Sequence, residues 1–241
     1  MDKGGTAVKR TGVALIVLLV GSVIGPLAGP AGAQEPVCGP PEEEVPATIV
    51  GSGTIVGTQG DDVIVGSAED DVIIGLGGDD VICGEGGNDR LMGGAGDDVL
   101  IGDGFELPPF APSNGANDDT LVGGPGNDVL AGLGGDDTLQ GGPGNDEMIG
   151  FGGVDQIGGG PGDDTAFGGP LDDAIDGGPG HDTLWGNFGS DTITGGPGDD
   201  VIDGDNPFPV PPDLPFPPGT NVDDCRGGPG ANTVLNCEIE S

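Results

Sequence analysis

Residues 123–131 read GGPGNDVLA, residues 132–140 read GLGGDDTLQ and residues 141–149 read GGPGNDEMI. The three lines align without a gap. Glycine stands first and fourth, aspartate sixth and an apolar residue eighth. The period continues on both sides. Upstream, from Gly57, come GTQGDDVIV, GSAEDDVII, GLGGDDVIC, GEGGNDRLM and GGAGDDVLI. Downstream, from Gly150, come GFGGVDQIG, GGPGDDTAF, GGPLDDAID, GGPGHDTLW, GNFGSDTIT and GGPGDDVID. Residues 102–122 and 204–226 are single units that each carry an insertion, and GGPGANTVL over 227–235 is a last degenerate copy. Seventeen units result. The sixth position is Asp62, Asp71, Asp80, Asp89, Asp98, Asp119, Asp128, Asp137, Asp146, Asp155, Asp164, Asp173, Asp182, Asp191, Asp200 and Asp223, then Asn232.

Each unit divides into a six-residue turn and a three-residue strand. Glycine at the first, second and fourth positions admits the backbone angles of tight turns. Positions seven to nine alternate about the apolar eighth, as a short strand with one inward side chain does. One such strand cannot bury its apolar residue alone, so the units must stack as a solenoid. Nine residues is short for a coil, and two units per coil is the simplest closure. Alternate units then lie over one another in two parallel sheets with a thin aliphatic core.

In that stack the sixth-position Asp of one unit lies ~4.8 Å from that two units on. Two bare carboxylates there repel by about 1 kcal/mol in water and roughly 3 kcal/mol at an effective dielectric of 20. A hard dication between them reverses the sign. Calcium takes oxygen ligands in flexible geometry and glycine-rich turns offer free carbonyls, whereas magnesium demands a tight octahedron and its own waters. The spacing therefore points to calcium, with about 14 sites between units two apart.

Units such as GGPGNDVLA and GGAGDDVLI match G-G-x-G-x-D-x-U-x, with U aliphatic, at every fixed position. The chain thus resembles the RTX (hemolysin-type) calcium-binding repeat proteins over about 57–235. The resemblance implies an all-β fold, a parallel β-roll (a right-handed β-solenoid with two nonapeptide units per coil). It also implies calcium, roughly 10–14 ions, held by the sixteen aspartates above and by turn carbonyls such as those of Gly123, Gly141, Gly159 and Gly195. Glu69, Asn117 and Leu171 replace the fourth-position glycine, and those turns are expected to bind weakly. Val154 and His181 replace the usual Asp or Asn at the fifth position. Family members exported by type I secretion carry a C-terminal signal; this chain has an N-terminal one. Many relatives join the repeats to an enzyme or toxin, but 34–56 is too short for a catalytic domain.

The whole chain of 241 residues fits this reading. It has 56 Gly, 23 Pro, no Tyr, 42 Asp+Glu against 5 Lys+Arg, and a formal charge of -37. Collagen is excluded because glycine does not recur every third residue. Nucleic acid and anionic membrane surfaces are excluded as partners by the charge. Lys3, Lys9 and Arg10, an apolar run from Val13 to Ile24, and Ala31-Gly32-Ala33 form an expected secretory signal peptide over 1–33. The run is too short to span a bilayer, so no membrane span remains after cleavage. An N-terminal arm and cap (34–56), the roll (57–235, insertions near 105–116 and 207–220) and a tail (236–241) follow. Four cysteines in an exported chain read as two disulfides. Cys225–Cys237 staples the C-terminal end, leaving Cys38–Cys83 to tie the arm to the body.

Both insertions fall in even units and should leave one edge five coils apart, ~24 Å. Their Pro- and Phe-rich loops (Phe105 to Ser113, Pro207 to Thr220) suggest a paired binding feature. The ninth positions of odd units, Val65, Cys83, Ile101, Ala131, Ile149, Phe167 and Trp185, form an apolar stripe on the outside. A protein or cell-surface partner is expected at the loops or at Ile149, Phe167 and Trp185. Catalysis finds no support: His181 is the lone histidine, acid pairs such as Asp61/Asp62 recur in most units, and zinc lacks His or Cys clusters. The sequence reads as a secreted, extracellular calcium-binding protein that folds on meeting calcium. The rival readings are a calcium-stiffened adhesive or structural cell-surface scaffold and, far less supported, an extracellular enzyme.

Overall fold

In the computed structural model the chain lays down one strand per repeat and then turns back. Residues 37–38, 45–104, 117–205 and 223–237 are described. Strands of even units form a nine-stranded sheet running from Thr54–Val56 to Asp224–Arg226. Strands of odd units form a ten-stranded sheet running from Ile49–Val50 to Thr233–Leu235. Every pairing within these sheets is parallel, and equivalent positions lie opposite one another: Thr138 against Gln156, Leu139 against Ile157. This is the expected parallel β-roll with two units per coil. The segment read as arm and cap supplies the end strand of each sheet, and a small antiparallel pair, Val37–Cys38 with Val45–Pro46, precedes them.

The insertions leave the stacking intact. Thr120 lies opposite Arg90 and Asp224 opposite Thr192, so each interrupted unit regains register in the nine-stranded sheet. Five strand steps separate the two re-entry points. The proposed loop feature (Phe105 to Ser113, Pro207 to Thr220) and the segment 1–33 lie outside the described residues.

Each sheet gives the core one inward side chain per unit. Ile64, Ile73, Ile82, Leu91, Leu100, Leu121, Leu130, Leu139, Met148, Leu184, Ile193 and Ile202 are fully buried, all from eighth positions. Cys225 takes the eighth position of unit sixteen and is bonded to Cys237, so a disulfide closes the C-terminal end of the core. Cys83 is also disulfide-bonded. Its expected pairing falls on the side chain of Cys38, outside the described residues, although Val37–Cys38 packs beside the strand Val81–Glu85 that carries Cys83.

The outer stripe differs from expectation. Ninth positions do point away from the core, but Val65, Cys83, Ile101, Ala131 and Ile149 are buried. The Val37–Cys38 strand packs over the strands of Val65 and Cys83. Ile149, 3% exposed, is therefore not a free contact residue. Phe167 and Trp185 remain half-exposed, their rings stacked with centroids 4.4 Å apart. Several odd strands also run on into the next unit's turn, as in Val129–Gly134 and Glu147–Gly152. Leu133 and Phe151 are thereby brought onto a widened sheet edge, where both are buried.

A single eighth-position truncation removes the only core contribution of its unit. Leu130→Ala is expected to cost about 2–5 kcal/mol, read as a lower urea midpoint, while the exposed Thr192→Ala stays within about 0.5 kcal/mol.

Candidate functional site

The sixth-position aspartates end the turns and precede the strands, so the stacking that aligns the strands also aligns them. They fall into two rows, one on each edge of the roll. The odd-unit row runs Asp62, Asp80, Asp98, Asp128, Asp146, Asp164, Asp182, Asp200. The even-unit row runs Asp71, Asp89, Asp119, Asp137, Asp155, Asp173, Asp191, Asp223. All sixteen are buried, none more than 8% exposed.

Each side chain is pinned by the coil behind it. The backbone N–H of one Asp donates to Oδ1 of the Asp two units on, at 2.7–3.1 Å, from Asp62→Asp80 through Asp191→Asp223. The carbonyls of all but Asp223 are held too, each accepting the N–H of a seventh-position residue, as from Val81 to Asp62 at 2.9 Å. Oδ1 is thus spoken for. Oδ2 is not: in Asp80, Asp89, Asp119, Asp128, Asp137, Asp146, Asp155, Asp164, Asp173, Asp182, Asp191 and Asp200 it is buried and has no hydrogen-bond partner among the described residues. A buried carboxylate oxygen left this way costs about 1–3 kcal/mol or more. A row of them calls for a physical explanation, and a bound cation is one that fits carboxylate oxygens.

The space beside Oδ2 is kept open by the first glycine of the same turn. A Cβ on Gly159 would fall 2.4 Å from Asp164 Oδ2 and 2.5 Å from the carbonyl oxygen of Gly177 two units on. On Gly84 it would fall 2.1 Å from Asp89 Oδ2 and 2.5 Å from the Gly102 carbonyl. The first glycine is therefore required by the close approach of a carboxylate and a carbonyl, a pair of hard oxygens facing one small volume. Gly123, Gly141 and Gly195 hold the same place against Asp128, Asp146 and Asp200. The carbonyls of Gly123, Gly141 and Gly159 each accept one N–H, from Gly94, Gly124 and Gly142, leaving a second lone pair. Among the described residues no three His, Cys, Asp or Glu side chains converge, so a cation here would draw on main-chain oxygen as well as carboxylate. That donor set suits calcium.

Burial pushes these carboxyls up from the ordinary value of 3.8. Asp80, Asp89, Asp146 and Asp182 reach about 6, and Asp128, Asp155, Asp164 and Asp191 about 7. Asp137 reaches about 8, Asp119 about 9 and Asp173 about 10. Desolvation is the largest cause throughout. Neighbouring carboxylates add to it, while the N–H donated from the coil behind opposes it. Protein cations offer no relief, because Arg90 and Arg226 are the only ones in the described residues and Arg226 pairs on the surface with Asp224 at 2.6 Å.

The ends of the rows depart from the pattern. Thr58 N–H donates to Asp62 Oδ2 at 2.6 Å, and the N–H and hydroxyl of Ser67 donate to Asp71 Oδ2. These first two carboxylates are satisfied by protein. At the far end Asn232 accepts from Asp200 N–H through Oδ1 while its Nδ2 donates to the Gly228 carbonyl. Sequence reading missed two further buried acids, Asp103 and Asp203. Asparagine amides bind both, Asn117 to Asp103 at 2.8 Å and Asn236 to Asp203 at 2.7 Å, and burial pushes Asp103 to about 7. Asp103 stands at a second position and Asp203 at a ninth, where the repeat gives no signal for acid. The fifth positions form an exposed ladder of their own, in which His181 Nδ1 accepts the N–H of Asp199 at 3.0 Å. His181 is thus a rung of that ladder.

Comparison with known families places this geometry. The family described as RTX calcium-binding nonapeptide repeat (4 copies) matches residues 56–91, 84–104, 113–148, 131–166, 149–184 and 176–206. No curated protein matches the chain. The matched segments together cover more than half of it, and they carry every aspartate of the two rows except Asp223: the chain belongs to the RTX calcium-binding nonapeptide repeat family.

Proposed function

We propose that this is an exported protein whose roll forms when it meets extracellular calcium, bound between successive coils by the aspartate rows. The observation that carries the reading is the run of buried Oδ2 atoms in spaces that only glycine leaves open, several of them, as at Gly84 and Gly159, facing a main-chain carbonyl as well. The ligands proposed are the sixth-position aspartates with first-position carbonyls such as those of Gly123, Gly141, Gly159 and Gly195. Asp62 and Asp71, already satisfied by Thr58 and Ser67, are the weakest members. Without an ion, rows of desolvated like charges oppose the fold, and a chain this rich in glycine and acid stays disordered. Export is supported by the basic, apolar and A-x-A features of 1–33, which also supply the oxidising compartment that the Cys225–Cys237 bond requires. A cell-surface scaffold is the second reading, favoured by the stacked, half-exposed Phe167 and Trp185.

Circular dichroism with and without chelator tests the coupling. A β spectrum is expected in millimolar calcium and a disordered one in EGTA; a β spectrum that chelation leaves unchanged overturns the reading. Asp146→Asn and Asp164→Asn together are expected to raise the calcium needed for folding several-fold, because each removes charge from the middle of its row.

The pH dependence has opposite signs with and without metal. In the metal-free roll the carboxyls titrate above the unfolded value of 3.8, from about 6 to about 10. Stability from this source is full below 3.8 and is lost as pH rises through the folded values. Acidifying the chelated chain from about pH 8 to about pH 5 should therefore promote the roll. In calcium, protons compete with the ion and acid should weaken it. The check is a pair of dichroism titrations, and parallel curves would contradict it.

A further inference from the structure

The two edges of the roll are built differently. Odd-unit turns are nearly uniform from unit seven onward: GGPG at 123–126, 141–144, 159–162, 177–180, 195–198 and 227–230. Even-unit turns are irregular. The second position, which takes positive φ, holds Glu85 (φ 87), Leu133 (φ 81), Phe151 (φ 74) and Asn187 (φ 77) on the even edge. The fourth position holds Asn117 (φ 65) and Leu171 (φ 85) there. On the odd edge Leu76 (φ 88) stands at such an angle, while elsewhere there the glycines carry the positive angles, as Gly124 (φ 115) and Gly142 (φ 115) do. Both insertions interrupt even turns, at 102–119 and 204–223.

Three effects then act in one direction. An L-residue held in the left-handed region costs free energy that glycine does not. Proline in a compatible turn lowers the entropy that the disordered chain must give up, and Pro125, Pro143, Pro161, Pro179 and Pro197 all sit at exposed third positions on the odd edge. Their carbonyls also accept ladder bonds, as from Gly126 N–H to Pro143 at 3.0 Å. A turn that contains an insertion must close a longer loop. Where ion binding and turn ordering are one event, each of these terms enters the apparent calcium affinity.

We propose that the two aspartate rows are two classes of calcium site: the odd row fills first and holds the coils along one edge, and the even row, which bears the insertions, fills at higher calcium. The inference rests on the calcium-binding reading above. It makes the even edge the half of the molecule whose order follows the surrounding calcium level.

Calcium titration of the full chain by calorimetry and dichroism at fixed pH is the test. Two phases are expected. Leu171→Gly, at a 40% exposed even-edge position, should move only the second phase, to about fivefold lower calcium. Pro161→Ala, on the odd edge, should move only the first, to about two- to fivefold higher calcium. Leu76→Gly, 40% exposed on the odd edge, serves as the opposite control and should move the first phase downward. A single phase that both variants shift alike, or Leu171→Gly acting on the first phase, overturns the two-class proposal while leaving calcium binding intact. No heat and no spectral change with calcium in the unsubstituted chain overturns the calcium reading itself.

Discussion

A carboxylate with one oxygen tied to the coil behind it and the other buried in a glycine-lined gap is the constraint on which this structure depends. It is repeated down both edges, and most of the sequence can be understood as making room for it. The first glycine is there because a Cβ would occupy the gap. The N–H to Oδ1 bond that fixes the aspartates persists even where a turn is lengthened, as from Asp89 to Asp119 and from Asp191 to Asp223, so this bond and not the length of a unit sets the stack. Lysine is absent from the repeats and arginine nearly so, and a cation tethered to the chain would compete for the space between the oxygens. The core can draw on one inward side chain per unit because it does not carry the fold alone.

Much of this was legible in the sequence because the period is short and the environment of each position recurs. The eighth positions found the core from Ile64 to Ile202, and the parity of the units assigned each strand to its sheet. The sixth positions gave both rows, and Cys225, standing where an aliphatic belongs, marked the end of the core. What escaped was whatever the repeat does not set. A period gives the mean surroundings of a position, and it does not report that the backbone N–H of Thr58, or the N–H and hydroxyl of Ser67, turn onto the aspartates of the first two units. Ile149 lies on an outward-facing position yet is buried, since a pattern along the chain cannot report what lies over a sheet. Asp103 and Asp203 stand where the repeat gives no signal for acid and are buried against asparagines.

The two edges also show how one motif can hold different degrees of preorganisation. Leu133 and Phe151 accept an unfavourable backbone angle, and both side chains are buried on the widened strand edge, so burial offsets the local cost. On the opposite edge the glycine–proline turns need no such compensation. Sequence variation along a solenoid is usually read as decay from a consensus. Here, from unit seven onward, it falls on one edge and separates the turns that are intrinsically ready from those that order as part of a larger packed surface.

The register itself has a mechanical meaning. Equivalent residues of successive coils are 18 apart wherever no insertion intervenes, and the first and last strands lie at opposite ends of each sheet. A pull between those ends runs along the stacking direction, so it loads the coil-to-coil hydrogen bonds one coil at a time, in peeling rather than in shear. Each coil that lets go releases 18 residues, about 60 Å of extended chain. Under tension the roll is a tether that pays out in equal steps, with a longer step at each insertion.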